Sequence, residues 1–259
     1  MCLILLAWQV HPDYPLIIAA NRDEFYARPT AAAGFWPENP DLIAGRDLEA
    51  GGSWLGISRS LRFAALTNFR EGGKVRSAVP SRGALVTDFI AGQSSPHTYL
   101  ESLAKNAGQY NGFNLFLGDG ERLVYFSNRG SGPLWLTPGI YALSNHLLDT
   151  PWPKLSAAKQ AFAAALDQLP NTAPFFELLA DREIAADAQL PETGVPLEWE
   201  RILSATFVSS PDYGTRASTL LSVRRNGEVS FLEKSFGPGT VFSGQTSTTF
   251  QSSLISTGV

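Results

Sequence analysis

The chain carries a single cysteine, Cys2, directly after Met1. If the initiator methionine is removed, Cys2 gains a free α-amine. That amine, with a pKa of about 7.7–8, acts as a base at neutral pH. A thiol with its own base beside it needs no histidine to become a nucleophile. Downstream, Asn21-Arg22-Asp23-Glu24 gathers a guanidinium and two carboxylates. Arg22 would favour a thiolate, Asp23 could hold the α-ammonium, and Glu24 is left as a partner for an arginine. Asn68, Asn114 and Asn145 each lie in or just after an apolar run, where a side-chain amide can donate to an oxyanion or polarise a carbonyl. Arg216, after Gly214-Thr215, can bind a carboxylate, fix the surroundings of Cys2, or simply be exposed.

A hairpin would bring the first of these groups together. The spacing predicts one arm over Cys2 to Val10 and another over Pro15 to Ala20, with His11-Pro12-Asp13-Tyr14 as the loop. With Val10 opposite Pro15, Cys2 faces Asp23 and Leu3 faces Arg22. A slip of one residue exchanges the two charged partners.

Composition narrows the class. The 259 residues, 44% hydrophobic and 17% charged, suit a globular chain with a substantial core, and no repeat or linker divides it, so one domain over 1–259 is expected. A net charge of -4 leaves no footprint for nucleic acid. One cysteine makes no internal disulfide, which suits the cytoplasm. The apolar start Leu3 to Trp8 lacks the basic flank of a signal peptide and reads as a strand, and no run reaches the roughly eighteen apolar residues of a membrane span. His11, His97 and His146 are scattered without metal spacing, and no metal site is expected.

Further strands are predicted at Gly51 to Ser58, Leu61 to Phe69, Phe113 to Leu117, Leu123 to Phe126, Gly139 to Leu143, Ser204 to Ser209, Arg216 to Arg224 and Val229 to Lys234. Helices are predicted after Ser81 and Ser95-Pro96, from the proline-flanked start Pro151-Trp152-Pro153 to Leu166, and from about Ala173 to Ile184. Phe25 to Glu49 and Pro191 to Glu200 read as irregular segments, and the chain from Gly237 as loose. Strands in antiparallel runs with helices in consecutive pairs favour an α+β fold.

Met1-Cys2, Asn21 to Phe25 with Arg28-Pro29, Gly52 to Gly56, Ala65 to Arg70, Ser81-Arg82-Gly83, Asn111 to Asn114, Leu143-Ser144-Asn145, Asp149 to Lys154 and Tyr213 to Arg216 resemble the NRDE family, also called the transport-and-Golgi-organisation-2-like family. The resemblance covers nearly the whole chain in order. That family is in turn similar to the N-terminal-nucleophile hydrolases, which implies a four-layer αββα sandwich with two antiparallel sheets between helical layers. In their cysteine members, the bile-salt and penicillin amidases, catalytic groups match Cys2, Arg22, Asp23, Asn145 and Arg216 here, although the arginine and aspartate of those enzymes stand further apart.

What the family implies about role differs. Its members are implicated in moving haem, and in some accounts in binding acyl-coenzyme A. The first expectation is therefore a cytoplasmic carrier of haem or another large amphipathic ligand, with Asn21, Arg22, Asp23, Glu24, Asn68, Asn114 and His146 as ligand contacts. The axial ligand to haem would come from His11, His97, His146, Cys2 or a tyrosine. The rival is an amidohydrolase with Cys2 as nucleophile, which requires no cofactor.

Overall fold

The computed structural model describes residues 2–72 and 76–254. The apolar alternation at the chain start folds as the expected hairpin, β1 (Cys2–Trp8) with β2 (Leu16–Phe25). Both strands are apolar on both faces because each face meets a different core. Ile4, Leu6 and Ile18 face the second sheet, whereas Leu3, Leu5 and Ile17 face helices.

Among the described residues the strands form two antiparallel sheets. The second sheet holds β3 (Thr30–Trp36), β4 (Asn39–Asp47), β5 (Leu55–Ser58), β6 (Phe63–Asn68), β7 (Phe113–Gly118), β8 (Leu123–Ser127) and β9 (Leu134–Trp135), adjacent in chain order. The hairpin's own sheet adds β10 (Gly139–Leu143), β11 (Tyr213–Val223), β12 (Glu228–Phe236) and β13 (Phe242–Gln251), in the order β10-β1-β2-β11-β12-β13. The hairpin is therefore central, with β10 on one side and β11 on the other.

Each sheet has a helical cover. On the second sheet, α1 (Gly83–Ala91) and α2 (Pro96–Asn106) bury Val86, Phe89 and Leu100 against Leu115 and Leu117. On the hairpin's sheet, α3 (Pro153–Leu166) and α4 (Ala173–Leu179) bury Leu155, Phe162 and Phe175 against Leu3, Leu5 and Ile17. The result is the expected αββα sandwich. Each fully buried aliphatic or aromatic side chain contributes about 1.5–3 kcal/mol. No helix among the described residues is long and apolar enough to cross a membrane.

Several expectations fail locally. Phe25 to Glu49 is not irregular but pairs as β3 and β4, with register breaks between Ala31 and Gly34 and between Phe35 and Trp36 that absorb the Gly- and Pro-rich sequence. The acidic segment ends in a short helix, α5 (Leu197–Ile202), and Ser204 to Ser209 is no strand, making only a bridge from Ser209 to Gly214. Downstream of Gly237 the chain forms β13, an edge strand whose polar side chains reflect one solvated face.

Candidate active site

The hairpin register differs by one residue from the expected one: Cys2 lies opposite Arg22 and Leu3 opposite Asn21. Gln9 is the cause. It adopts a left-handed conformation (φ 51) and its N–H donates to the Pro15 carbonyl at 2.8 Å, so the turn begins before Val10. Directly opposite residues share a face, with Cβ atoms about 4.5–5.5 Å apart. Cys2 and Arg22 thus point into the space between the sheets. Asp23, one residue on, belongs to the opposite face, toward α3.

Arg22 is held there from three sides. Its guanidinium lies 4.4 Å from the centre of the Trp54 ring, Nη1 donates to Thr30 Oγ1 at 3.1 Å, and Nη2 stands 3.8 Å from Glu24 and 4.0 Å from Asp47. Trp54 is itself fixed by close packing on Gly45, where a Cβ would overlap the indole. Asp23 is buried; its carboxylate accepts from Thr215 Oγ1 at 2.7 Å and its backbone carbonyl from the Tyr213 hydroxyl at 2.9 Å. Burial pushes the Asp23 carboxyl up, while Lys154, the Thr215 hydroxyl and Arg70 oppose. Burial likewise pushes the Cys2 thiol up, and Asp23 adds to the effect; Arg22 and the Asp23 backbone N–H pull it down.

Cys2, Arg22 and Asp23 line one cleft of about 470 Å³, together with Trp54, Asn68 and Arg82. A second, mainly apolar cavity of about 410 Å³, walled by Phe25, Trp199, Leu203 and Tyr213, shares Glu24 and Asn68 with the cleft. Arg82 reaches the rim because α1 starts where Gly52 and Gly83 pack backbone to backbone; a Cβ on Gly52 would overlap the Gly83 carbonyl.

The three asparagines separate by what they already bond. Asn114 is saturated: Nδ2 donates to Thr67 Oγ1 and the His146 carbonyl, and Oδ1 accepts from Tyr125. Asn145 is a brace, donating from Nδ2 to the Asn68 carbonyl at 2.9 Å and accepting from Ser144 Oγ, which also reaches the Cys2 carbonyl at 3.2 Å. The side chain of Asn68 makes no hydrogen bond with a described residue and faces both cavities. Of the three, Asn68 has the amide available at the cleft.

Other expected contacts lie elsewhere. Asn21 is buried on the helix face, where Nδ2 donates to the Leu179 and Thr206 carbonyls and Oδ1 accepts from Ser218. The Arg216 guanidinium is engaged by the carbonyls of Phe25, Tyr26, Arg28 and Phe236, and it borders neither the cleft nor the apolar cavity. His146 stacks near Phe69 and Trp152 and lines a third cavity of about 480 Å³, with Nδ1 at 2.9 Å from Thr150 Oγ1. Among the described residues no group of three His, Cys, Asp or Glu side chains is arranged to hold a metal ion.

Lys154 was missed. It is buried in the first turn of α3, its Nζ donates to the Leu203 carbonyl at 2.7 Å, and burial pulls its pKa down to about 8 against the attraction of Asp23. A cation at a helix start opposes the helix dipole, and that mismatch after Pro153 was the available signal.

The sequence model described as Transport and Golgi organisation 2 matches residues 1–238. A Bos taurus protein, Transport and Golgi organization protein 2 homolog, is 41% identical over 258 residues, covering 91% of this chain and 93% of that one. Its Homo sapiens counterpart is 38% identical over the same shares, and Transport and Golgi organization protein 2 of Drosophila melanogaster is 29% identical over 90% and 92%. Among solved structures, the Caenorhabditis elegans N-acylethanolamine-hydrolyzing acid amidase ortholog is similar with TM-score 0.49 and 12% identity, over 85% of this chain and 92% of that one. The C2A mutant of conjugated bile acid hydrolase from Clostridium perfringens follows, with TM-score 0.46 and 10% identity over 97% and 92%. With the family match running over residues 1–238 and relatives 38–41% identical over nine-tenths of both chains, the chain belongs to the Transport and Golgi organisation 2 family.

Proposed function

We propose that this protein is a cysteine amidohydrolase of the N-terminal-nucleophile type, acting on an amphipathic amide. One observation carries the reading: the chain's only cysteine faces Arg22 in register and opens onto a cleft whose wall holds an uncommitted amide, Asn68. The chemistry follows from those groups. After loss of Met1, the Cys2 α-amine takes the thiol proton while Sγ attacks the amide carbonyl. The carbonyl oxygen becomes an oxyanion that accepts from Asn68 Nδ2. The ammonium then protonates the departing amine as the C–N bond breaks, leaving a thioester on Cys2. Water, deprotonated by the same amine, hydrolyses the thioester and frees the acid.

Arg22 stabilises the sulfur's negative charge, and Asp23 orients the amino terminus from the other face. Asn145 acts through Asn68, as a positioning residue. The polar cleft and the adjoining apolar cavity suit a substrate with one charged or polar end and one apolar end. A test is acylation of Cys2 by activated esters of apolar acids: wild-type protein lacking Met1 gains one acyl mass, and Cys2→Ala gains none. A wild-type protein that stays unmodified across such a panel overturns the reading.

The carrier reading has one observation in its favour, and it is not at Cys2. His146 lies between the Phe69 and Trp152 rings on the third cavity with Nδ1 beside Thr150, which leaves Nε2 as the nitrogen for an axial bond. Haem titration reads this directly. A saturable Soret shift that His146→Ala abolishes supports a haem site there, and its absence removes it.

A further inference from the structure

The cleft is polarised, and the hydrolytic steps use only one part of it. Glu24, Asp47 and Glu49 cluster there with Arg22 and Arg28 and are committed to them: Arg28 holds Asp47 at 2.8 Å and Glu49 at 3.3 Å, and Arg22 stands 3.8 Å from Glu24. Asp23 accepts from Thr215. The remaining charged lining is Arg76 and Arg82, in the segment that leads into α1. Neither forms an ion pair with a described residue; their side chains donate only to backbone carbonyls. The Glu71 carboxylate, packed on Gly112, is bonded twice by Arg129, at 2.9 and 3.0 Å.

Arg82 is held in place rather than left to swing in solvent. Its Nη1 donates at 2.9 Å to the Gly112 carbonyl, which also accepts from the Phe69 N–H at 2.9 Å. The guanidinium is thereby anchored beside the residue that follows Asn68. At its base, the Gly52–Gly83 packing fixes the start of α1, and the side chain is half-buried. Nε and Nη2 donate to no described residue, which leaves two parallel N–H groups of the fork open. That geometry grips an oxyanion by two bonds at once, a carboxylate or a phosphate. Arg76 adds a second cation to the same cleft, its Nη2 tied to the Gly108 and Tyr110 carbonyls.

We propose that Arg82, supported by Arg76, forms an anion subsite that selects amides whose amine half carries a carboxylate or a phosphate. This rests on the hydrolase reading for the bond that is cut, whereas the subsite itself is read by binding. The order of groups gives the orientation. Apolar cavity and cleft meet at Glu24 and Asn68, so a carbonyl at Asn68 with its apolar acyl half in the cavity leaves the amine half in the cleft. A neutral amine half would leave the Arg82 fork without an acceptor.

The test is calorimetric titration of the full-length Cys2→Ala chain, which has no thiol to turn the probes over. Three probes share one acyl chain: N-decanoylglycine, the O-phosphate of N-decanoylethanolamine, and neutral N-decanoylethanolamine. At least one anionic probe is expected to bind about 10- to 100-fold more tightly than the neutral one, the range for hydrogen bonds to a charged group. Arg82→Gln in the same chain is expected to erase most of that difference. Arg82→Lys, which keeps the charge without the fork, retains part of it. The neutral probe is expected to bind equally in all three proteins. Equal affinity for the three probes in the Cys2→Ala chain, or no binding of any, overturns the proposal with Arg82 untouched, so a misfolded Arg82→Gln does not shield it. An Arg82→Gln chain that discriminates as well as its parent also overturns it. Failure of wild-type Cys2 to be acylated would instead overturn the hydrolase reading and leave these affinities standing.

Discussion

Single residues divide here by what their hydrogen bonds already do. Asn68, Asn114 and Asn145 look alike in the sequence, each beside an apolar strand, and the distinction between them rests on partners far along the chain. Asn114 bonds to His146, Thr67 and Tyr125, while the Asn68 side chain bonds to no described residue. The two therefore respond oppositely to truncation. Asn68→Ala is expected to slow acylation of Cys2 by about 10²- to 10³-fold with thermal stability unchanged. Asn114→Ala is expected to leave the Tyr125 hydroxyl without its acceptor and to cost about 1–3 kcal/mol in denaturant unfolding. Equal stability losses in both variants would refute the division. The cluster of Cys2 with Arg22 and Asp23 was legible because a hairpin's reach is local; Lys154 was not, because α3 is brought to Asp23 by packing, far from it in sequence.

At the scale of elements, the site depends on close approaches that only glycine permits. Gly45 makes room for the Trp54 ring, on which the Arg22 guanidinium lies, and Arg22 faces Cys2. Gly45→Ala is expected to displace Trp54, cost about 1–3 kcal/mol through overpacking, and change the alkylation rate of Cys2, although Gly45 itself does not border the cleft. A variant with wild-type stability and wild-type alkylation would contradict this chain of contacts. Element existence was largely readable from periodicity and caps: Ser95 caps α2 through Thr98 as its position before proline suggests. The hairpin register was not, because one left-handed residue, Gln9, moves every pair by one. Nor was the β3–β4 hairpin, whose bulges disguise its alternation.

For the whole molecule, the sandwich depends on two sheets packed through a common core, and one buried carboxyl ties them. Glu233 on β12 accepts from the Ala33 N–H of β3 at 2.7 Å and from Thr219 at 3.1 Å, and burial pushes its carboxyl up. A carboxyl raised in the folded state holds its proton more tightly there than in the unfolded chain. Its stabilising contribution is then complete below the ordinary glutamate value, near 4.3, and is lost as pH rises through the folded value. Glu233→Gln keeps the acceptor for Ala33 and removes the titration. Its stability relative to wild type is expected to increase as pH rises from about 4 toward 7, read by denaturant unfolding at several pH values. A constant difference across that range would contradict the assignment. The layer order itself was accessible from antiparallel runs of strands and paired helices; the edge strand β13 was not, since a polar edge and a loose tail share the same composition.

The central claim is that Cys2, freed of Met1, is a nucleophile at the floor of its cleft. Intact-mass analysis of the purified protein before and after exposure to an activated apolar ester tests it most directly. The account predicts a starting mass lacking methionine and the gain of a single acyl group, absent in Cys2→Ala. Protein that retains Met1 and still turns over an amide, or Cys2→Ala that acylates as readily as wild type, would contradict it.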